Sequence, residues 1–452
     1  MHIIIVGCGK VGYTLVELLS GEEHNIVVVD ESADRVQSVT DNLDALGVIG
    51  NGVSYKTLME AGIDKADLLI AVTGSDEQNL LCCVIAKKTG HCSTIARIRN
   101  PIYRSELNFL KQEFGLATII NTEYAAATEI ARVFEFPSAI KIDSFAKGHV
   151  ELLHFKILKD SPLIGKKLAG IRSSFHTDVL IGMATRNDEV IIPKGNFVFE
   201  EGDVIAVVAE PQNAISFFKK IGYETGKVSN ALIVGGGTIA YYLARRLLQA
   251  GISTKIIESN LERCEELSEL LPKATIIHGD GTDQNLLLQE GLSNAEGFAA
   301  LTGMDEENIF LSLFAKEVSK AKTITKVNRI KYTNVLDTLN LDSIIYPRLI
   351  TADLITKHVR SIGNSVGSNV ETLYRLEDGK AEALEFIIRE NSGVSDIPLC
   401  ELNIRKNILI ACIYRNGNVI IPGGQDSIQV GDSVIVIMKD YKISDISEIL
   451  EG

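Results

Sequence analysis

The chain has 452 residues, enough for several cores at ~100–200 residues per domain, and its 46% apolar and 23% charged residues are ordinary for a globular protein. A net charge of −14, from 59 acidic against 45 basic residues with no basic cluster, argues against nucleic acid as a partner. No apolar run approaches the ~20 residues a membrane-spanning helix needs, no basic flank or cleavage site precedes the first strand, and seven cysteines without CxxC spacing read as reduced cytosolic thiols that fill core space.

Taken in order, Ile3 to Val6 reads as a buried strand running into Gly7-Cys8-Gly9-Lys10-Val11-Gly12, a glycine turn that opens a helix. In a dinucleotide-binding turn the first glycine makes the tight bend, the second lets backbone approach a pyrophosphate, and the third packs helix against strand. The phosphates then sit on free N–H groups at the helix start. A second strand ends at Asp30, close to the ~20-residue spacing expected for a carboxylate that binds a ribose diol. Asn51, after the third strand, suits an adenine edge, and Thr73 follows the fourth. Lys10 is either a partner for a terminal phosphate or a solvated lysine. Asp76 and Glu77 either cap the next helix or meet a metal or a neighbouring subunit. Arg97, ending the fifth strand, would close over phosphate or pair with those acids.

Strands are expected near residues 2–6, 25–30, 45–49, 67–73, 94–98 and 117–121, with helices between them, and a helix from Thr122 to Phe134 ends before Pro137. Short β-type runs follow at Val150–Leu158, Val179–Thr185, Val190–Ile192 and Val204–Ala209. They read as a small α+β lobe whose apolar face pairs with another copy of itself.

The whole unit then recurs. Gly235, Gly237 and Ala240 answer to Gly7, Gly9 and Gly12; Thr238 and Ile239 stand where Lys10 and Val11 do; Glu258 answers to Asp30. One residue further out of phase, Asp280 answers to Asn51, Thr302 to Thr73, Lys326 to Arg97, and Gly431-Asp432 to Gly202-Asp203. The helix from Thr351 to Ile362 matches Thr122 to Phe134, and a second small lobe holds Ile408–Tyr414, Val419–Ile421 and Ser433–Met438. The fold expected is α/β: two doubly wound parallel-sheet (Rossmann) domains, each followed by a small α+β lobe. The divisions expected are 1–136, 137–226, 227–363 and 364–452, the last placed in Ile362-Gly363-Asn364-Ser365.

A carboxylate at position 30 repels a ribose 2′-phosphate, so NAD(H), ADP or ATP fit better than NADP. No P-loop, nucleophile elbow or HxxxH pair occurs, and no histidine recurs in the other copy, so the repeats share nucleotide-binding parts and no evident catalytic group.

The order GCGKVG, Asp30, the glycines around Asn51, AVTGSDEQN and ARIRNP, then a small lobe with a Gly-Asp turn and the whole set again, resembles the potassium-conductance regulator (RCK or KTN) domains of bacteria and archaea. The tandem form is similar to the peripheral regulatory subunits of Trk-type potassium-uptake systems. The resemblance implies NAD(H) and ATP or ADP held in the large lobes, RCK_C small lobes, and self-association into a gating ring, taken as tetrameric. It also implies a cytoplasmic location against the inner membrane face, beside a TrkH/TrkG-like potassium-conducting subunit, and no catalysis. The position that is often Arg in ATP-responsive relatives is Lys10 or Thr238 here, and the one commonly Asp is Asn51 in the first copy. An NAD-dependent oxidoreductase and a redox-sensing transcription regulator are the alternatives; the second wants a basic recognition helix that is absent.

Overall fold

The computed structural model describes residues 1–22, 24–90, 92–328, 336, 338–363 and 368–451. Asn364 and Ser365, where the last division is expected, lie outside them.

The first large lobe runs β1 (His2–Val6), α1 (Lys10–Leu19), β2 (Asn25–Asp30), α2 (Ala33–Thr40), β3 (Leu46–Ile49), α3 (Tyr55–Glu60), β4 (Leu68–Ala71), α4 (Asp76–Thr89), β5 (Ser93–Arg97), α5 (Leu107–Glu113), β6 (Thr118–Ile120) and α6 (Thr122–Glu135). The first small lobe holds β7 (Lys141–Phe145), β8 (Val150–Lys156), α7 (Ile171–Phe175), β9 (Val179–Arg186), β10 (Glu189–Ile191), β11 (Val204–Ala209) and α8 (Pro211–Lys220). The second large lobe repeats the plan as β12 (Asn230–Val234), α9 (Thr238–Gln249), β13 (Ser253–Glu258), α10 (Leu261–Leu270), β14 (Thr275–His278), α11 (Gln284–Gln289), β15 (Gly297–Ala300), α12 (Asp305–Val318), β16 (Lys322–Lys326), β17 (Ser343–Ile345) and α13 (Pro347–Gly363). The second small lobe comprises β18 (Ser368–Leu376), β19 (Ala381–Ile388), β20 (Ile408–Arg415), β21 (Asn418–Ile420) and β22 (Ser433–Lys439).

These lobes gather into two compact units, Met1–Ile130 with Ser229–Thr356, and Ala131–Val228 with Lys357–Gly452; the divisions fall inside α6 and α13.

In the first unit both sheets are six-stranded, ordered β3-β2-β1-β4-β5-β6 and β14-β13-β12-β15-β16-β17. Their strand pairs are parallel, with His2 opposite Asn25 and Asn230 opposite Ser253. Ile3 to Val6 and Leu68 to Ala71 are buried throughout, because helices cover both faces of the sheet. The order reverses between the first and fourth strands, so the loops after β1 and β4, or β12 and β15, open a crevice at the carboxyl edge.

In the second unit each lobe carries a five-stranded sheet, β10-β9-β11-β8-β7 and β18-β19-β22-β20-β21, whose pairs are antiparallel. Phe145, Leu152 and Met183 of one sheet share a buried cluster with Ala383, Cys412 and Ile437 of the other. The self-pairing expected of the small lobes is therefore met inside one chain. Three strands depart from the sequence reading. β7, β18 and β19 are absent from it: they carry Asp143, Arg375, Glu382 and Glu385 among their apolar residues, and each of these side chains has a partner that permits burial. Arg360 of α13 donates to Glu382 at 2.7 Å, and Glu385 accepts from Ser433, from Thr372 and from the Ala146 amide. Burial works against the Asp143 carboxylate, but Lys141 at 3.0 Å and His154 at 3.2 Å outweigh it and hold its pKa below the usual value. α13 begins at Pro347, ahead of the expected Thr351, because proline suits the first turn of a helix.

Candidate functional site

Each crevice begins at a left-handed glycine, Gly7 at φ 105° and Gly235 at φ 96°, a conformation that a side chain would strain. Their amides donate to Val29 and Ile257, both at 2.8 Å, which fixes the turn against the neighbouring strand. The helix caps are Gly9 and Gly237, extended at φ −68° and −65°, and neither helix start is capped by a side chain. A Cβ on either glycine would face open space, so backbone there is open to a phosphate group. Lys10 is exposed, whereas Val11, Thr238 and Ile239 are half-buried.

The third motif position differs between copies for a steric reason. A Cβ at Gly12 would lie 1.8 Å from the Gly7 carbonyl oxygen, whereas Ala240 is accommodated fully buried. The first turn is thus the tighter one.

The acids reach back to the turn. Asp30 Oδ2 accepts the Cys8 amide at 2.7 Å and Oδ1 the Ser32 amide at 2.9 Å. Glu258 Oε2 accepts the Gly236 amide at 2.6 Å and Oε1 the Asn260 amide at 2.8 Å. A Cβ on Gly236 would sit 2.7 Å from Leu267 and 3.0 Å from Glu258 Oε2, so the longer acid comes with a glycine and the shorter one with Cys8. Burial, then Asp30, pushes the Cys8 thiol up to about 12, which keeps it protonated and inert. Six of the seven cysteines are buried as expected; Cys400 is exposed.

Asn51 and Asp280 each turn an oxygen inward, to the Val53 amide at 2.8 Å and the Thr282 amide at 2.8 Å. The hydrogen bonds from the Thr282 amide and hydroxyl hold the Asp280 pKa below the usual carboxylate value. Both residues thus shape the loop after the third strand.

Thr73 and Thr302 are fixed by residues whose role the sequence reading missed. Asn79 Oδ1 accepts the Thr73 amide at 2.8 Å while its Nδ2 donates to the Arg97 carbonyl at 2.8 Å; Asn308 does the same for Thr302 and Lys326 at 2.8 and 2.9 Å. Each asparagine is fully buried and staples the fourth strand's exit to the fifth's.

Two expectations at the same edge are corrected. Ser75, and not Asp76, caps α4; Asp76 and Glu77 lie in the first turn, where their charge suits the helix dipole as expected, and Asp76 accepts the Arg99 and Asn100 amides, both at 2.8 Å. Asp305 takes the Asn328 amide at 2.9 Å in the same way. Arg97 pairs with neither Asp76 nor Glu77 but with Glu123 of α6, at 2.7 Å. Glu77 accepts from Ser75 and Tyr103 instead, which lowers its pKa. Burial lowers the Lys326 pKa, and its ammonium donates to the Leu301 carbonyl at 3.0 Å.

Arg35 and Arg263 were also missed, although they occupy matching places in the repeat. Arg35 lies 3.9 Å from Asp30, and Arg263 Nε donates to the Gly236 carbonyl at 2.8 Å. Among the described residues there is no cluster of His, Cys, Asp or Glu able to hold a metal, and no helix long and apolar enough to cross a membrane.

The TrkA-N domain model matches residues 3–122 and 231–347, and the TrkA-C domain model residues 152–222 and 383–451. A protein of Archaeoglobus fulgidus named Trk system potassium uptake protein TrkA homolog is 32% identical over 449 residues, covering 99% of this chain and 100% of its own. The Trk system potassium uptake protein TrkA of Haemophilus influenzae is 32% identical over 449 residues, 98% of this chain and 96% of its own. Among solved structures, the GsuK RCK domain superposes with a TM-score of 0.64 at 18% identity, covering 97% of this chain and 92% of its own. The GsuK channel bound to NAD superposes at 0.63 and 18%, covering 97% and 77%. At that identity the likeness to the solved structures is one of fold.

Proposed function

Because the chain belongs to the TrkA family of potassium-uptake proteins, with both family domains present twice, we propose that it is the nucleotide-sensing regulatory subunit of a Trk-type potassium-uptake system. The observation that carries this reading is the duplicated clasp of acid on glycine turn, beside a helix start that no side chain caps. Each crevice takes NAD(H) or ADP and ATP, with the ribose on Asp30 or Glu258 and the phosphates over Gly9 or Gly237. Lys10, Val11, Thr238 and Ile239 supply the helix start; Asn51 and Asp280 border the adenine; Thr73, Thr302, Arg97 and Lys326 form the far rim. The lobes at 1–136, 137–226, 227–363 and 364–452 are the working parts of this reading.

The signal is occupancy, without turnover of the nucleotide. Copies of the chain form a ring, taken as tetrameric, on the cytoplasmic face of a TrkH/TrkG-like potassium-conducting subunit. A ring with two arrangements is biased by a nucleotide only through a difference in affinity for them, each tenfold difference being about 1.4 kcal/mol.

The test is potassium flux through liposomes that hold the membrane subunit, with this protein and ATP, ADP, NAD or NADH added in turn. Nucleotide-dependent flux that Asp30→Ala and Glu258→Ala abolish supports the reading. Flux indifferent to every nucleotide, or steady consumption of NADH with a metabolite, overturns it.

A further inference from the structure

The two small lobes meet face to face within one compact unit, and their faces are not alike. The turn at Ala146 answers to the turn at Glu377, both residues at φ 47°, so His149 answers to Lys380, Ser144 to Arg375 and Leu152 to Ala383. Further along, Gly182 answers to Ala411, Asp188 to Gly417 and Val208 to Ile437.

Contacts across the face come in pairs that exchange the lobes. The Tyr374 hydroxyl donates to the Ser144 carbonyl at 3.1 Å, and the Lys141 ammonium donates to the matching Arg375 carbonyl at 3.4 Å. Lys380 binds Asp188, whereas its counterpart His149 stacks on Tyr414 with ring centroids 5.0 Å apart. The faces are thus related by an approximate twofold, as two copies of one lobe would be, but different side chains stand on its two sides.

The sizes of those side chains are complementary. β8 carries Leu152 where β19 has Ala383, and β22 carries Ile437 where β11 has Val208, all four buried in the shared cluster. The fit is closest at Gly182 of β9. A Cβ there would lie 2.3 Å from Ile437 Cδ1, and Ile437 is fully buried, so its methyl has no open space to turn into. Across the twofold, Ala411 comes opposite the shorter Val208. Glycine therefore meets isoleucine on one side, and alanine meets valine on the other.

Pairing like with like breaks both matches. Two second lobes would set Ala411 against Ile437 twice and overfill the contact, whereas two first lobes would set Gly182 against Val208 twice and underfill it. Either arrangement also separates Lys380 from Asp188, since they belong to different lobes. That ion pair is exposed and adds little, so the packing decides.

We propose that this face is keyed to an unlike partner: a first small lobe accepts a second small lobe and refuses another first lobe, with Gly182 and Ile437 setting the choice. The proposal stands apart from the nucleotide reading. A chain supplies one lobe of each kind and so satisfies itself, and contacts between copies fall to other surfaces.

The experiment is thermal melting of the full chain in three variants. Gly182→Ala with Val208→Ile gives the first face the second's residues and reproduces a pairing of two second lobes; Ala411→Gly with Ile437→Val reproduces a pairing of two first lobes. The third variant carries all four changes and restores one glycine–isoleucine and one alanine–valine contact with the sides exchanged. Each half exchange is expected to lower the melting temperature by about 4 °C or more, and the full exchange to regain more than about half of the summed loss. Smaller recovery overturns the proposal, because the residues then pack only within their own lobes and their losses add. A half exchange that melts with the parent protein overturns it too. If the overfilled variant does not fold, the full exchange still decides: it folds if the pairing rule holds, and its failure to fold sinks the rule.

Discussion

The carboxylate of Asp30 closes on the amide of Cys8 at 2.7 Å, so the strand that would hold the ribose also holds the turn that would hold the phosphates. Glu258 and Gly236 repeat the relationship at 2.6 Å. Asp30→Ala and Glu258→Ala should each cost about 1.5–3 kcal/mol of stability, the range for hydrogen bonds to a charged group. Each should also remove one of two nucleotide sites, as counted by calorimetric stoichiometry alongside urea unfolding.

The buried staple after the fourth strand gives a prediction without a ligand. Asn79→Ala leaves the Thr73 amide and the Arg97 carbonyl unmatched, which should cost about 2–3 kcal/mol, and Asn308→Ala should cost as much in the second copy. Urea midpoints of the two variants measure this. Equal midpoints with the parent protein would show that the clasp contributes nothing.

The third motif position should answer differently in the two copies. Gly12→Ala forces a methyl to within 1.8 Å of the Gly7 carbonyl, so α1 must move off its turn and the first nucleotide site should be lost. Ala240→Gly only removes a methyl and frees backbone, at about 1 kcal/mol. Binding stoichiometry for both variants settles the contrast.

The buried pair Arg360 and Glu382 is expected to be costly to break and cheap to replace. Glu382→Leu alone strands the buried Arg360 charge and should cost about 3–5 kcal/mol, while adding Arg360→Leu should regain part of that loss, Arg375 still lacking the carboxylate 3.9 Å from it. A double-mutant cycle in urea reads the difference.

Burial pulls the Lys322 pKa from 10.5 down to about 8. Between pH 8 and 10.5 the unfolded chain thus holds a proton there that the folded chain has shed, so stability rises with pH across that window. Lys322→Met should raise the melting temperature at pH 7 and flatten that rise. A rise of the same size in the variant would assign it to other groups.

The parallel sheets were legible in the sequence because each strand buried on both faces is a continuous apolar run, and because the repeat supplied every run twice. Ile3 to Val6 and Leu232 to Val234 needed no partner to be recognised. β7 and β19 were illegible for the opposite reason: Asp143 and Glu382 become acceptable inside a sheet only once Lys141, His154 and Arg360 arrive from elsewhere. The same holds at the crevice. Glycines and acids declare themselves by spacing, but that Arg97 would choose Glu123, and that Asp76 would choose the Arg99 amide, depends on where α6 and the loop after β5 come to rest. Asn79 and Asn308 were visible as a repeated pair, yet an asparagine six residues beyond a threonine has no meaning until the chain folds back.

Both compact units are built from stretches that are not adjacent in the chain. When the ribosome has released residues 1–228, each unit has only its first half, and Asn121 and the Arg99 carbonyl still lack the Tyr242 hydroxyl that will join them. Synthesis therefore leaves a half-finished product with exposed apolar faces until the second repeat emerges. Cutting the gene at its midpoint should yield two fragments that are recovered from cells far better together than apart.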